Sequence, residues 1–313
     1  MWAEILGTIF SLSTLDSAIR LATPIALAAM GGTFSERAGI INIGLEGMLL
    51  TGAFAGVLGS FLTGSPWFGV FLAVVAGAMS AAVFSVFTVE LKANHVVAGV
   101  GINILALGLT TWMMQVIWGS RGTSPDVTGV AAIRLEFLEG IPVLGTLFGE
   151  QSPFVYLMLL LIAGGWVLLF RTPLGLRIRM TGEHPEAADT LGINVRFTKH
   201  FSVILGGALA GFGGAYLSLG HLNWFSMNMT AGRGYMALAA NIFGQWNPFG
   251  GLGASLLFSF ADAVQIRLQG VDMALPHSLI QMLPYVLTIV VLAGAVVKSR
   301  PPAALGNHYT PGT

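Results

Sequence analysis

The sequence contains no cysteine and little charge. Without cysteine, none of its 313 residues can form a disulfide or supply a thiolate to a metal. Asp, Glu, Lys and Arg make up 9% of the chain, whereas a soluble domain carries about 25%. The formal net charge is zero, so nucleic acid is not an expected partner. The chain lacks the charged surface that a water-soluble protein of this size needs.

The motifs of common enzyme classes are missing as well. Lysine occurs only as Lys92, Lys199 and Lys298, and none follows glycine, so there is no phosphate-binding GxxxxGK[ST] loop. HExxH and GxSxG are absent, and the six histidines are scattered, which suggests no metal site and no nucleophile with its base. The chain is therefore expected not to be an enzyme and to need no cofactor.

Apolar residues dominate what is present. They make up 55% of the chain, and uncharged runs such as 47–89 and 93–120 exceed the roughly 20 residues that cross a bilayer. The sequence predicts an all-α polytopic membrane protein with about eight to ten transmembrane helices. Residues 1–16 are expected at the interface, 17–300 in one transmembrane domain and 301–313 in a disordered tail. The predicted single spans are about 17–34, 40–62, 67–89, 96–118, 152–170, 201–219 and 276–297.

One hydrophobic segment near the carboxyl end is interrupted. Residues 234–245 are too short to cross comfortably, the sequence WNPFGG follows at 246–251, and 252–266 returns. We interpret 234–266 as a broken or re-entrant pair, although two short spans would give the same topology. Broken helices at membrane depth are tolerated where they line a cavity or are buried in protein.

The loop 171–199 fixes the predicted orientation and contains a short helix. It carries five Lys and Arg residues against two in 119–151, which places it in the cytoplasm and the amino terminus outside. Pro185 suits the first helical position and Gly192 the cap that ends a helix of about two turns. Such a helix is too short to be stable alone, so it must dock on its own chain or on a partner. Its expected apolar face consists of Ala187, Ala188 and Leu191.

Polar residues inside the predicted spans are few. Asn42 and Glu46 are expected four residues apart on one helix face, with Glu46 facing a water-filled path or pairing with Arg37 near the cytoplasmic end. Each further polar side chain is more often a helix–helix contact than a ligand contact, but together they suit a neutral, hydroxyl-rich ligand. These further residues are Asn103, Asn241, Gln245 and Asp262.

Three stretches resemble a known family. They are FSERAGIINIGLEGMLLTGAF at 34–54, GEHPEAADTLGI at 182–193 and GYMALAANIFGQWNPFG at 234–250. The chain is similar over about 20–297 to permease subunits of ABC importers of the branched-chain amino acid/ribose class, most of all to their nucleoside and simple-sugar branch. His184 departs from the asparagine of many relatives, which affects the expected docking contact.

The resemblance implies a multi-pass subunit of a bacterial-type cell membrane that imports a neutral nucleoside or simple sugar. ATP hydrolysis would occur on a separate ATP-binding cassette subunit, with a second, usually different permease and an extracytoplasmic binding protein as further partners. The implied substrate path contains Asn42, Glu46, Asn103, Asn241 and Gln245. The implied coupling residues are Gly182, Glu186, Ala187, Ala188, Leu191, Gly192 and Ile193.

Other functions stay open at this point. Branched-chain amino acids or plain sugars are alternative cargo within the same family. A secondary transporter without ATP would use Glu46 or Asp262 as a proton or sodium site. An intramembrane enzyme is disfavoured, because no local pair of catalytic groups is present.

Overall fold

The computed structural model describes residues 11–136, 142–269 and 300–310, together with Met282 and Val286. Within these residues the fold is a bundle of helices, with one pair of two-residue antiparallel strands in which Ile133 faces Gln151. The helices are α1 (Leu12–Arg37), α2 (Leu45–Thr63), α3 (Pro66–Ser85), α4 (His95–Trp118), α5 (Pro142–Phe148), α6 (Pro153–Arg171), α7 (Pro173–Glu183), α8 (Pro185–Thr190), α9 (Val195–Ala215), α10 (Arg233–Phe243) and α11 (Pro248–Gln269). The strands are β1 (Ile133–Arg134) and β2 (Glu150–Gln151), and π-helical turns extend α3 over Val86–Glu90 and α9 over Tyr216–Leu222.

The described helices confirm the predicted polytopic membrane fold. Six of them, α2, α3, α4, α6, α9 and α11 with their extensions, are long and apolar enough to cross a bilayer. Helix α1 is as long but carries more charge, and every residue from Ala22 to Glu36 is buried. A helix enclosed by other helices does not need an apolar face for lipid. The predicted final span at 276–297 and most of the interfacial segment lie outside the described residues.

Helix α9 packs against α1, α2 and α3 through glycine. A methyl group on Gly52 of α2 would lie 2.5 Å from Cα of Gly211. One on Gly77 of α3 would lie 2.3 Å from the carbonyl oxygen of Gly207. Only residues without a side chain allow backbones to approach this closely. These glycines therefore serve helix packing, and their contacts form the core of the bundle.

The structure corrects the predicted start of the second span. Helix α2 begins at Leu45 instead of Ile40, and Asn42 lies in the preceding turn rather than on a helix face shared with Glu46. Tertiary partners satisfy this turn, because the Ile41 amide donates to the His95 ring over 3.3 Å. A backbone whose polar groups are bonded elsewhere has no need to be helical.

The predicted break near the carboxyl end is confirmed. Helix α10 has 11 residues, too few to cross a bilayer at 1.5 Å per residue. Gln245 and Trp246 then adopt positive φ angles of 54° and 53°, which a helix cannot accommodate. Pro248 starts α11 at its first position. The chain thus forms a short half-helix, a tight turn and a full-length helix.

Candidate functional site

The side chain of Glu46 caps the amino-terminal end of the half-helix α10. The Glu46 carboxylate accepts hydrogen bonds from the backbone N–H groups of Gly232 at 2.8 Å and Gly234 at 2.6 Å. The first N–H groups of a helix have no partner inside the helix, and its dipole favours negative charge there. Gly234 permits the contact, because a methyl group on it would lie 2.5 Å from Cα of Glu46. Glu46 therefore fixes where α10 starts.

A second buried carboxylate holds the other end of α10. Glu36 accepts hydrogen bonds from the Asn241 amide at 2.7 Å and from the Trp246 indole N–H. Thr33 donates to the remaining amide oxygen of Asn241 at 2.7 Å. Arg37 donates to the carbonyl oxygen of Trp246 at 2.8 Å, so the alternative prediction of an Arg37–Glu46 pair is wrong. The end of α1 thereby fastens the turn that follows α10.

Two of the three stretches that resemble the family are therefore partners in the fold. Residues 34–47 supply both carboxylates, and residues 232–246 supply the groups that these carboxylates hold. Glu36 was missed from the sequence because it stands beside Arg37 in a stretch that reads as a polar turn. Its buried position depends on Asn241 and Trp246, more than 200 residues away.

The predicted path residues occupy different environments. Asn42 and Asn241 are fully buried, and Glu46 is 7% exposed. Asn103 is half-buried and joins three elements, bonding the Ile43 carbonyl, the Gly47 amide and the Tyr235 hydroxyl at 2.8 to 3.0 Å. Gln245 is exposed in the turn after α10. The structure brings Asn103, Glu46 and Asn241 together around α10, where they hold helices to one another.

The short helix in the loop 171–199 forms as predicted but presents a different face. It runs from Pro185 to Thr190, and Gly192 closes it with φ +76°. Ala188 is 0% exposed and packs on its own chain, whereas Leu191 is 69% exposed and Ala187 is also exposed. The prediction that all three share one docking face is therefore wrong for Ala188. Because so short a helix needs tertiary support, the buried side is the one that fixes it.

The carboxyl-terminal segment supplies this support. Ala188 packs with Val195 and Tyr309, and Ile193 lies against the same cluster. The Ala304 amide donates to the Gly182 carbonyl at 2.9 Å, and the Gly306 amide donates to the Gly39 carbonyl at 3.0 Å. Residues 300–310 are thus packed along the short helix and the turn after α1. The disordered tail expected at 301–313 does not describe them.

Gly182 joins this region to the site around α10. A methyl group on Gly182 would lie 2.2 Å from the carbonyl oxygen of Arg37, so the end of α7 touches the end of α1. Arg37 in turn holds the turn after α10 through the Trp246 carbonyl. The short helix, the carboxyl-terminal segment and α10 are therefore linked by direct contacts. We name the region of Gly39, Gly182, α8 and 300–310 the coupling corner.

Comparison with known proteins identifies the family. The model of the family described as branched-chain amino acid transport system / permease component matches residues 14–292. The chain belongs to this family. The resemblance found in the three sequence stretches is thereby confirmed, and the chain is a multi-pass membrane protein that acts as a transport component.

Relatives within the family are similar along nearly their whole length. The guanosine ABC transporter permease protein NupQ of Bacillus subtilis is 38% identical over 93% of this chain and 94% of its own. The nucleoside ABC transporter permease protein NupC of Lactococcus lactis is 38% identical over 92% and 93%. The putative glucose ABC transporter permease protein TsgC13 of Haloferax volcanii is 35% identical over 96% and 98%.

Proposed function

We propose that this permease imports a neutral nucleoside, as one subunit of an ATP-binding cassette importer. The observation that carries the cargo is the 38% identity, over more than nine tenths of each chain, to permeases named for guanosine and nucleosides. The polar side chains around α10 agree with it, because the Glu36 and Glu46 carboxylates are already bonded within the chain. A cation or an amino group would have to compete with these internal hydrogen bonds.

ATP hydrolysis takes place on a separate subunit, to which α8 is the contact. Its exposed residues Glu186, Ala187 and Leu191 offer a small and mostly apolar surface, and α8 is supported from behind by the carboxyl-terminal segment. A displacement of α8 would be transmitted by the contact of Gly182 with the end of α1. From there the Arg37 hydrogen bond would transmit it to the turn after α10. Gly182, Ala188 and Ile193 support this contact from behind, and the exposed Gly192 closes the helix beside it.

A second permease and an extracytoplasmic binding protein complete the importer. Helix α4 supports the first of these partners, because a large share of its apolar side chains is exposed, among them Val97 and Leu105 at 71% and 56%. Asn103, Glu46 and Asn241 act in import by holding α10 in place. Gln245 in the adjoining turn is the predicted path residue whose side chain remains accessible.

Uptake by cells with and without this chain tests the proposal. Labelled guanosine, glucose and leucine are supplied separately, and accumulation is measured with and without an ionophore. We expect loss of guanosine uptake alone when the chain is deleted, and no effect of the ionophore on guanosine uptake by cells that keep the chain. Uptake that collapses with the ionophore and persists without ATP would instead indicate a secondary transporter.

Glucose is the second candidate cargo. The relative from Haloferax volcanii is 35% identical over 96% of this chain and is named for glucose. Glucose and a nucleoside both carry sugar hydroxyls that can bond amide groups, but only the nucleoside also carries a flat base. Loss of glucose uptake with unchanged guanosine uptake in the deletion strain would establish this alternative.

A further inference from the structure

A cavity opens beside the half of α4 that the charge distribution places toward the outside of the cell. Its volume is about 600 Å³, within the range of roughly 300–1,000 Å³ of small-molecule sites. One wall is α4 itself and the other consists of residues from two loops. The lining includes Gly108, Trp112, Gln115, Met227 and Asn228, together with Arg121 from the loop after α4.

The loop wall of this cavity is fixed by backbone hydrogen bonds. The Ser124 amide donates to the Phe225 carbonyl and the Met227 amide to the Gly122 carbonyl, both at 2.9 Å. The Phe225 amide also donates to the Ser124 hydroxyl at 2.9 Å. These bonds tie the loop after α4 to the loop before α10, so Met227 and Asn228 are held opposite α4. A wall that is already ordered costs less to bind against.

Polar groups line part of this mostly apolar cavity. Trp112 is 62% exposed, and no described residue hydrogen-bonds the side-chain amide of Asn228. A methyl group on Gly108 would meet no atom within 4 Å, so this glycine serves no packing within the described chain. Amides facing hydrocarbon are costly, whereas an aromatic face beside amides suits a flat ligand with hydrogen-bonding edges.

We propose that this cavity is the first site in the permease to receive the nucleoside, with the base stacked on Trp112. The amides of Gln115 and Asn228 then bond the edge of the base or the sugar hydroxyls, since an amide both donates and accepts. The assignment rests on the proposed import of nucleosides. It adds the site, the stacking residue and the side of the membrane.

The same loop links this cavity to the half-helix. From Asn228 the chain continues through three residues to Gly232, whose amide is held by Glu46. The Met229 amide donates to the Ser226 carbonyl and the Arg233 amide to the Thr230 carbonyl, which keeps the connection compact. A nucleoside bound against Asn228 is therefore one short, ordered segment away from α10 and from the groups that connect α10 to the coupling corner.

The test uses the complete importer in proteoliposomes, with guanosine-loaded binding protein at saturation. We expect Trp112→Ala to lower guanosine uptake per ATP hydrolysed by about tenfold, because stacking of a base on an aromatic ring is lost. Trp112→Phe keeps an aromatic face and should stay within about threefold of wild type. Trp67→Ala is the matched control, because Trp67 is 53% exposed at the start of α3 and does not line the cavity.

A second readout does not depend on transport. Photolabelling of the complex with 8-azidoguanosine should mark the peptide that contains Trp112 or the one that contains Asn228, and excess guanosine should prevent it. Gln115→Met removes an amide at nearly constant size and should reduce the labelling. This variant and Trp112→Phe keep the test valid if Trp112→Ala fails to assemble.

Three results would overturn the assignment. Unchanged uptake per ATP in Trp112→Ala, with labelling elsewhere, would remove the site while leaving nucleoside import intact. If Trp112→Ala abolished the stimulation of ATPase activity by guanosine-free binding protein, the cavity would be a docking surface for that protein. Absence of guanosine uptake by the wild-type importer would overturn the proposed function, and this site with it.

Discussion

Two buried carboxylates, Glu36 and Glu46, accept hydrogen bonds from opposite ends of the half-helix α10. A carboxylate inside a membrane protein is costly unless it is fully hydrogen-bonded. Each is stabilised by hydrogen bonds: Glu46 accepts one backbone N–H on each oxygen, and one oxygen of Glu36 accepts from an amide and an indole. Neither side chain needs a lysine or arginine partner, which explains how so few charges suffice in the core.

Replacing Glu46 by glutamine should loosen α10. The amide oxygen can accept one N–H, but the NH2 group then faces the second N–H, which is left unsatisfied. We expect a loss of stability of about 1–3 kcal/mol, the usual cost of one unsatisfied buried group. Thermal unfolding of the purified protein, followed by tryptophan fluorescence, measures the change, and uptake should fall with it.

Glu150→Gln is the control for this prediction. Glu150 pairs with Arg134 at 3.0 Å, but both side chains are more than half exposed. An exposed ion pair contributes at most about 1 kcal/mol, so this variant should unfold almost like wild type. Equal unfolding temperatures for the two variants would contradict the role given to Glu46.

The sequence identified Glu46 as a costly carboxylate at membrane depth but did not predict its partners. Its cost at membrane depth is a local property that a single residue reveals. The partners Gly232 and Gly234 lie 186 and 188 residues away, and no periodicity indicates which helix end a carboxylate will meet. The helix expected from Ile40 was wrong for a related reason, because tertiary bonds to His95 and Asn103 hold the turn.

At the scale of elements, α8 shows which side of a short helix is available to a partner. Spacing predicted one apolar face of Ala187, Ala188 and Leu191, because it could not show that the chain's own carboxyl-terminal segment covers Ala188. That segment was expected to be a disordered tail that opens with Pro301 and Pro302. Its order comes from backbone hydrogen bonds to Gly39 and Gly182, which composition does not reveal.

Ala187→Asp and Ala188→Asp should therefore fail in different ways. A carboxylate at exposed position 187 should leave the permease folded but weaken its contact with the ATPase, because a charge enters the contact surface. At buried position 188 it should destabilise the subunit by several kcal/mol, since an unpaired charge is taken out of water. Thermal unfolding separates the two, and co-purification of the ATPase measures the contact. Normal folding of Ala188→Asp would contradict the observed packing.

The carboxyl-terminal segment should be needed for coupling. Tyr309 is 9% exposed and packs against α8, and the nearby Asp189 carboxylate raises the pKa of its hydroxyl to about 12. The hydroxyl therefore stays neutral at physiological pH, and the ring is what supports α8. We expect Tyr309→Ala to reduce uptake per ATP hydrolysed by several-fold.

Tyr309→Phe provides the matched control, because it keeps the ring and removes only the hydroxyl. It should couple ATP hydrolysis to uptake almost as well as wild type. Equal uptake per ATP hydrolysed in Tyr309→Ala and Tyr309→Phe would show that the ring does not determine coupling. The support assigned to the ring would then be wrong. Guanosine uptake and phosphate release measured in the same proteoliposomes give the ratio directly.

At the scale of the whole molecule, composition predicted the fold class and the approximate spans. Apolar runs of sufficient length have few alternatives to membrane helices, so the elements follow from the sequence. The arrangement of those elements does not. Hydropathy does not encode the long-range packing that brings particular glycines or loops together. Examples are the contact of Gly52 with Gly211 and the hydrogen bond between Ser124 and Phe225.

The last prediction concerns the orientation of the molecule in the membrane. Lys and Arg counts place α8 in the cytoplasm and the loop with Arg121 outside the cell. Arg121 and Leu191, which follows α8, are both exposed. Since the chain has no cysteine, Leu191→Cys and Arg121→Cys would each introduce the subunit's only thiol. In intact cells, a membrane-impermeant maleimide should label position 121 and not 191, and in inverted vesicles the reverse. Labelling of position 191 from outside would separate α8 from any cytoplasmic ATPase and exclude the proposed coupling.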